Sequence, residues 1–160
     1  MSENLPLFIE GEFTQSKSDT HLEVLNPASQ EILTKVPFAT EEESNRAIAS
    51  AEKTFHDWKD VPPPERSRLM IAYQNLLKKH HEDIAETLSK ENGKNFEDSK
   101  GDVWRGIEVV EQASNITPLL MGETVGNVAR GIDAYSYLQP LGVCVGITPF
   151  NFPAMIPLWM

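Results

Sequence analysis

An α/β fold is predicted, in which amino-terminal strands and helices lead into the first strand of a parallel sheet. Three observations predict it. The first forty residues break into short β-prone runs separated by turn residues. Between Thr40 and Pro118, apolar side chains recur at helical spacing. Leu141–Thr148 is apolar nearly throughout, as a central strand buried on both faces reads.

The elements follow in order. Leu7-Phe8-Ile9 is a strand, Glu10-Gly11-Glu12 a turn signal, and Phe13 lies beyond it. His21–Leu25 alternates loosely and ends at the turn dipeptide Asn26-Pro27, and Glu31–Pro37 is a further strand. Together they predict an antiparallel set at the molecular edge. A first helix opens at Thr40, with Glu43 three residues on as a capping box. Its acids Glu41, Glu42 and Glu43 suit the positive end of the helix dipole, and Ala47, Ile48, Ala51, Phe55 and Trp58 form its stripe. Val61-Pro62-Pro63-Pro64 ends that helix and begins the next. The second helix places Leu69, Ala72, Tyr73, Leu76, Leu77, His80, Ile84 and Leu88 on one face and stops at Gly93. A third runs from about Asp98, with Val103, Ile107, Val110 and Ala113 inside, and closes at Pro118.

Met121–Ile132, rich in Gly and polar residues, is expected to be a connecting loop. Ala134–Pro140 is β-prone. After the apolar run, Pro149-Phe150-Asn151-Phe152-Pro153 makes a rigid loop and Ala154–Met160 starts an apolar helix. A lone buried strand and half a helix cannot make a sheet covered on both faces. The chain is therefore expected to be a piece of a longer polypeptide. Its expected divisions are 1–132, strands and helices; 133–140, extended strands; and 141–160, the first sheet strand and its loop.

Composition narrows the function. Hydrophobic residues at 40% and charged residues at 24% read as an ordinary globular protein. A formal net charge of −10 repels phosphate backbones, so nucleic acid is not an expected partner. No run approaches the roughly 20 apolar residues needed to span a bilayer, so no membrane partner is expected. The opening residues carry an acid and no basic cluster, so the protein is expected to be cytoplasmic or to have lost a targeting segment. The single cysteine, Cys144, permits no internal disulfide.

The chemistry concentrates after the apolar run, because ligands in open α/β sheets bind beyond the carboxyl ends of strands. Asn151 is the sole side-chain amide there. It stabilises a developing oxyanion, or it is a turn asparagine bonding its own backbone. Arg105 is either a surface group paired with Asp102 or Glu108 or a fork for a carboxylate. Cys144, inside a strand expected to be buried, reads as a small hydrophobe rather than a nucleophile. His80 and His81 are adjacent and point to different sides of a helix; with His21 and His56 isolated, no metal site is expected. No Gly-x-Gly-x-x-Gly occurs.

Gln139-Pro140-Leu141-Gly142-Val143, followed by Ile147-Thr148-Pro149-Phe150-Asn151-Phe152-Pro153, resembles the aldehyde dehydrogenase superfamily pattern of a Pro-x-Gly-Val strand leading to Pro-Trp/Phe-Asn-Phe-Pro. Phe150 and the segment Asp102-Val103-Trp104-Arg105-Gly106-Ile107-Glu108-Val109-Val110-Glu111 resemble the CoA-acylating methylmalonate-semialdehyde branch. Leu7–Phe13, Asn26-Pro27-Ala28 and Gly131–Ser136 are also similar to it. The resemblance implies that residues 141–160 begin a Rossmann-type NAD-binding sheet, and that NAD is the cofactor and coenzyme A a co-substrate. It makes Asn151 the donor to the thiohemiacetal oxygen, Thr148, Phe150 and Ile147 cofactor contacts, and Arg105 the grip on the substrate carboxylate. The implied substrate is methylmalonate or malonate semialdehyde. The catalytic cysteine is implied to lie beyond residue 160, and Tyr135–Leu138 to belong to strands through which a homo-oligomer, dimer or tetramer, assembles. The rival readings are a water-using, non-acylating aldehyde dehydrogenase and an inactive remnant acting as a binding module.

Overall fold

The computed structural model describes residues 4–160. Met1–Glu3, where the segment read for targeting signals opens, lie outside the described residues. The chain begins with two antiparallel hairpins. β1 (Leu7–Ile9) pairs with β2 (Glu12–Thr14), placing Phe8 opposite Phe13 with ring centroids 5.0 Å apart. β3 (His21–Leu25) pairs with β4 (Ile32–Pro37), and Asn26 Oδ1 accepts from Ala28 N and Ser29 N to shape the turn. The expected single antiparallel set is instead separate two-stranded sheets.

α1 (Glu41–Trp58) starts where the capping box predicts. Thr40 Oγ1 accepts from Glu43 N, and Glu43 Oε2 accepts in return from Thr40 N at 2.8 Å. The Glu43 carboxylate also receives Lys17 N and the Ser16 hydroxyl, at 2.8 and 2.9 Å, so it ties the β2–β3 connection to the helix start. The N–H groups of Thr40 and then Lys17, aided by the Ser16 and Thr40 hydroxyls, hold its carboxyl down to about 2 against the opposing effect of burial. A lowered folded value stabilises above the ordinary carboxylate range, and the contribution is lost as pH falls from about 4.5 through about 2. Glu43→Gln is accordingly expected to be less stable than the unaltered chain at pH 7. The gap should close between those limits, read from denaturant midpoints at stepped pH.

The expected second helix is two. α2 (Pro63–Lys79) and α3 (His81–Asn92) meet at His80, whose φ of −105° and ψ of 17° break the helical run. His80 Nδ1 then faces Asp83 and His81 Nε2 faces the Lys100 carbonyl. This joint rotates the faces out of register. Leu77, Ala85 and Leu88 are buried, whereas Leu69, Ala72, Tyr73 and Leu76 are exposed. Gly93 caps α3 as expected, at φ +81°, and a Cβ there would meet Pro27 Cγ at 2.7 Å.

α4 (Phe96–Ser114) is capped by Asn95, whose Oδ1 accepts from Asp98 N. Val103, Ile107 and Val110 lie inside it, as the spacing predicts. The helix ends at Asn115 rather than Pro118, which falls within the short α5 (Ile116–Leu119). Met121–Ile132 is not a loop: β5 (Thr124–Ala129) turns at Arg130-Gly131 into β6 (Ile132–Tyr135). Asp133 Oδ1 accepts from Asn127 N where the register slips, so polar residues shape the hairpin rather than marking a coil.

Leu141–Thr148 is not buried within this segment, whose described residues supply no further strand for the sheet it is expected to open. It pairs with no strand among the described residues, and Leu141 and Ile147 are 95% and 89% exposed. Strands form by pairing, and every hairpin here is closed on itself. Cys144 is consequently exposed, its thiol donating to the Gly142 carbonyl at 3.7 Å. The chain then closes with α6 (Met155–Trp159), which lies on α4. The core is Leu77, Ala85, Leu88, Val103, Ile107 and Val110, with Met70, Ile84, Ala154 and Leu158 packed around it. Among the described residues, no helix is long and apolar enough to cross a membrane.

Candidate active site

The site is the 149–154 loop, presented between the apolar run and α6. Three side chains hold its backbone. Asn92 Nδ2 donates to the Phe150 carbonyl at 3.0 Å, and Lys94 Nζ donates to the Asn151 carbonyl at 2.7 Å. Asp102 Oδ1 accepts from Met155 N, the first residue of α6, at 2.8 Å. The same Asp102 carboxylate receives Lys94 Nζ on its other oxygen at 2.7 Å. Lys94 also sits over the Phe152 ring, 4.2 Å from its centroid.

Sequence dictates each piece. Gly93 adopts the left-handed cap that turns the chain back after α3, so Asn92 and Lys94 flank a sharp corner. Asp102 lies on the inner stripe of α4 with Ser99, Val103, Gly106 and Ile107, and is fully buried. Gly106 lets α6 approach: a Cβ there would stand 2.5 Å from Leu158 Cδ1 and 3.3 Å from Met155 Cα.

The backbone of Asn151 is therefore fixed while its side chain is exposed and makes no hydrogen bond among the described residues. No bond from this amide to its own backbone, as a turn asparagine would make, is present among the described residues. Beside it lies an open groove of about 470 Å³ lined by Pro27, Glu91, Asn92, Thr148, Pro149, Phe150 and Pro153. Thr148 and Phe150 thus share a groove with the loop. Ile147 does not line it. The groove's apolar wall and hydroxyl fit the flat face and carboxamide of a nicotinamide.

Arg105 is exposed on α4 and pairs with neither expected carboxylate. Asp102 is taken by Lys94 and Met155 N, and Glu108 accepts from Trp104 Nε1 at 3.0 Å. Its neighbour Gly106 touches α6, so the arginine is carried by the helix that supports the loop. Asn92, Lys94 and Asp102 were not singled out from the sequence as site residues. An aspartate on an otherwise apolar helical stripe was the signal available for one of them.

Residues 13–160 match the aldehyde dehydrogenase family. A Dictyostelium discoideum protein named probable methylmalonate-semialdehyde/malonate-semialdehyde dehydrogenase [acylating], mitochondrial, is 54% identical over 96% of this chain and 29% of its own length. The human methylmalonate-semialdehyde/malonate-semialdehyde dehydrogenase [acylating], mitochondrial, is 48% identical over 96% of this chain and 29% of its own. A crystal structure from Sinorhizobium meliloti 1021, complexed with NAD and provisionally assigned as a methylmalonate-semialdehyde dehydrogenase, superposes with a TM-score of 0.95. It is 38% identical and is matched over 100% of this chain and 33% of its own. The chain spans about a third of the length of such relatives. With the match running from Phe13 to its last residue, the chain belongs to the aldehyde dehydrogenase family.

Proposed function

We propose that a polypeptide joining this segment to the remaining two thirds of its relatives' length oxidises methylmalonate or malonate semialdehyde, with NAD as cofactor, to propionyl-CoA or acetyl-CoA. The observation that carries the reading is the free amide of Asn151 on a backbone held from both sides, beside the groove lined by Thr148 and Phe150. When a cysteine thiolate from the part not spanned here adds to the aldehyde, the carbonyl oxygen becomes negative. Asn151 Nδ2 donates to that oxygen. Thr148 and Phe150 hold the nicotinamide in the groove, with Ile147 at its margin. When bound, the cofactor supplies a hydride acceptor, and a thioester remains on the cysteine. Coenzyme A takes the acyl group, and either semialdehyde loses its carboxylate carbon as carbon dioxide, which leaves propionyl-CoA from methylmalonate semialdehyde and acetyl-CoA from malonate semialdehyde.

The substrate class rests on Arg105, an exposed guanidinium with no carboxylate partner among the described residues and hence open to a ligand's. Arg105→Leu is expected to lower kcat/KM for the carboxylated semialdehyde about 10- to 100-fold, as loss of a charge-assisted hydrogen bond does, and to leave propanal oxidation unchanged. Equal loss on both aldehydes would remove the role. Homo-oligomer formation is also proposed, because the β5–β6 hairpin and the stretch after it expose Val125, Val128, Ile132, Tyr135, Tyr137 and Leu138.

The deciding experiment is NADH formation by the longer polypeptide with methylmalonate semialdehyde, with and without coenzyme A. A CoA-dependent rate with propionyl-CoA as product supports the reading. A free acid formed at the same rate without CoA makes the protein a water-using dehydrogenase. No NADH under either condition makes it a remnant.

A further inference from the structure

The corner Asn92-Gly93-Lys94 touches both peptide planes that flank the Asn151 Cα. Asn92 Nδ2 holds the Phe150 carbonyl, which sets the plane before it. Lys94 Nζ holds the Asn151 carbonyl, which sets the plane after it. Fixing these two planes fixes φ and ψ of Asn151. Its side chain has no partner among the described residues, so those angles set the Cα–Cβ direction from which the amide reaches.

Lys94 cannot wander from this task. Its ammonium is also bonded to Asp102, a fully buried carboxylate whose other oxygen accepts from Met155 N. Only about a fifth of the Lys94 side chain is exposed, and the Phe152 ring closes over the ammonium. A buried ion pair is a weak source of stability, because desolvation offsets its attraction. It does define geometry. Here one carboxylate joins Lys94, and through it Asn151, to the first N–H of α6, so loop and helix are held to a single point on α4.

We propose that Asn92 and Lys94, with Asp102 as the anchor of Lys94, are positioning residues that aim the Asn151 amide at the oxygen of the reacting aldehyde. This rests on Asn151 being the oxyanion donor. The effect expected follows from how steeply such catalysis depends on placement: about 1 Å of misplacement costs on the order of 100-fold.

The test uses the longer, active polypeptide and its pre-steady-state burst of NADH. Two variants are compared. Asn92→Ala removes one bond outside the ion pair. The double variant Lys94→Met with Asp102→Asn removes both charges together, so no orphan charge is buried and residue 102 still accepts from Met155 N. Each is expected to slow the burst, read at saturating NAD, about 10- to 100-fold, with the thermal midpoint little changed. Each is then made in an Asn151→Ala background, where no further slowing is expected because nothing is left to aim. An equal loss in that background would show general damage and overturn the proposal, as would a burst of normal rate in Asn92→Ala and the double variant. If the double variant does not fold, Asn92→Ala decides alone. If Asn151→Ala itself leaves the burst unchanged, the oxyanion reading fails and the positioning role with it. A slowed Asn151→Ala beside unslowed positioning variants defeats only the latter.

Discussion

Replacing Asn151 with alanine is expected to slow formation of the thioester about 100- to 1000-fold, the usual result of removing one preorganised donor from an oxyanion site. The structure supports an effect at the upper part of that range. The backbone at Asn151 is held through the carbonyls of residues 150 and 151, so no reorganisation of the loop accompanies charge development. Substrate binding should change little, because the amide matters most when the oxygen turns negative. Stability should change little too, since the side chain is exposed and makes no bond that alanine would lose. The measurement is single-turnover NADH production at saturating semialdehyde. An unchanged burst rate would return Asn151 to an ordinary loop residue and leave the site without its oxyanion donor.

Asn151 stood out as a candidate because it is one amide between two aromatics and two prolines after an apolar run, and the resemblance is what makes it the oxyanion donor. The residues that hold it were not legible. Asn92, Lys94 and Asp102 lie about fifty or more residues away in sequence, on elements whose packing no local pattern reveals. Asp102 showed a sign of itself, a carboxylate on a buried stripe. It was read as a partner for Arg105, three residues on, because helical spacing offers that pairing first. Burial decides otherwise: Asp102 faces α6 and Lys94, and Arg105 faces solvent.

The fold divides in the same way. The start of α1 follows from its capping box and the inner stripe of α4 from spacing, both local, whereas the Asn95 cap of α4 was not read. The break at His80 escaped because an apolar pattern running past residue 80 does not record a change of helix axis. The β5–β6 hairpin escaped because its polar residues make turn and side-chain bonds that composition reads as loop. Leu141–Thr148 was read as buried from its own residues. Burial is a property of the neighbours, and none of the described residues supplies a strand to pair with it.

Ile107→Ala is expected to destabilise the fold by about 2–5 kcal/mol, the range for emptying a core aliphatic position. Ile107 is fully buried on α4, in the cluster where Leu77, Ala85 and Leu88 bring α2 and α3 against it and Leu158 brings α6. The upper part of the range applies if the helices cannot collapse into the space. Here the Asp102 bond to Met155 N, one turn away, pins α6 and resists collapse. Leu69→Ala, on the solvent side of α2, should stay within about 0.5 kcal/mol and serves as the control. Denaturant unfolding of both variants checks the contrast. The comparison also bears on function, since α6 begins four residues after Asn151. If Ile107→Ala lets α6 settle toward α4, the loop moves with it, and the burst of NADH should fall even where the variant remains folded. A full-strength burst from a folded Ile107→Ala protein would mean that the loop is held by the Asn92, Lys94 and Asp102 bonds, independent of how α6 packs.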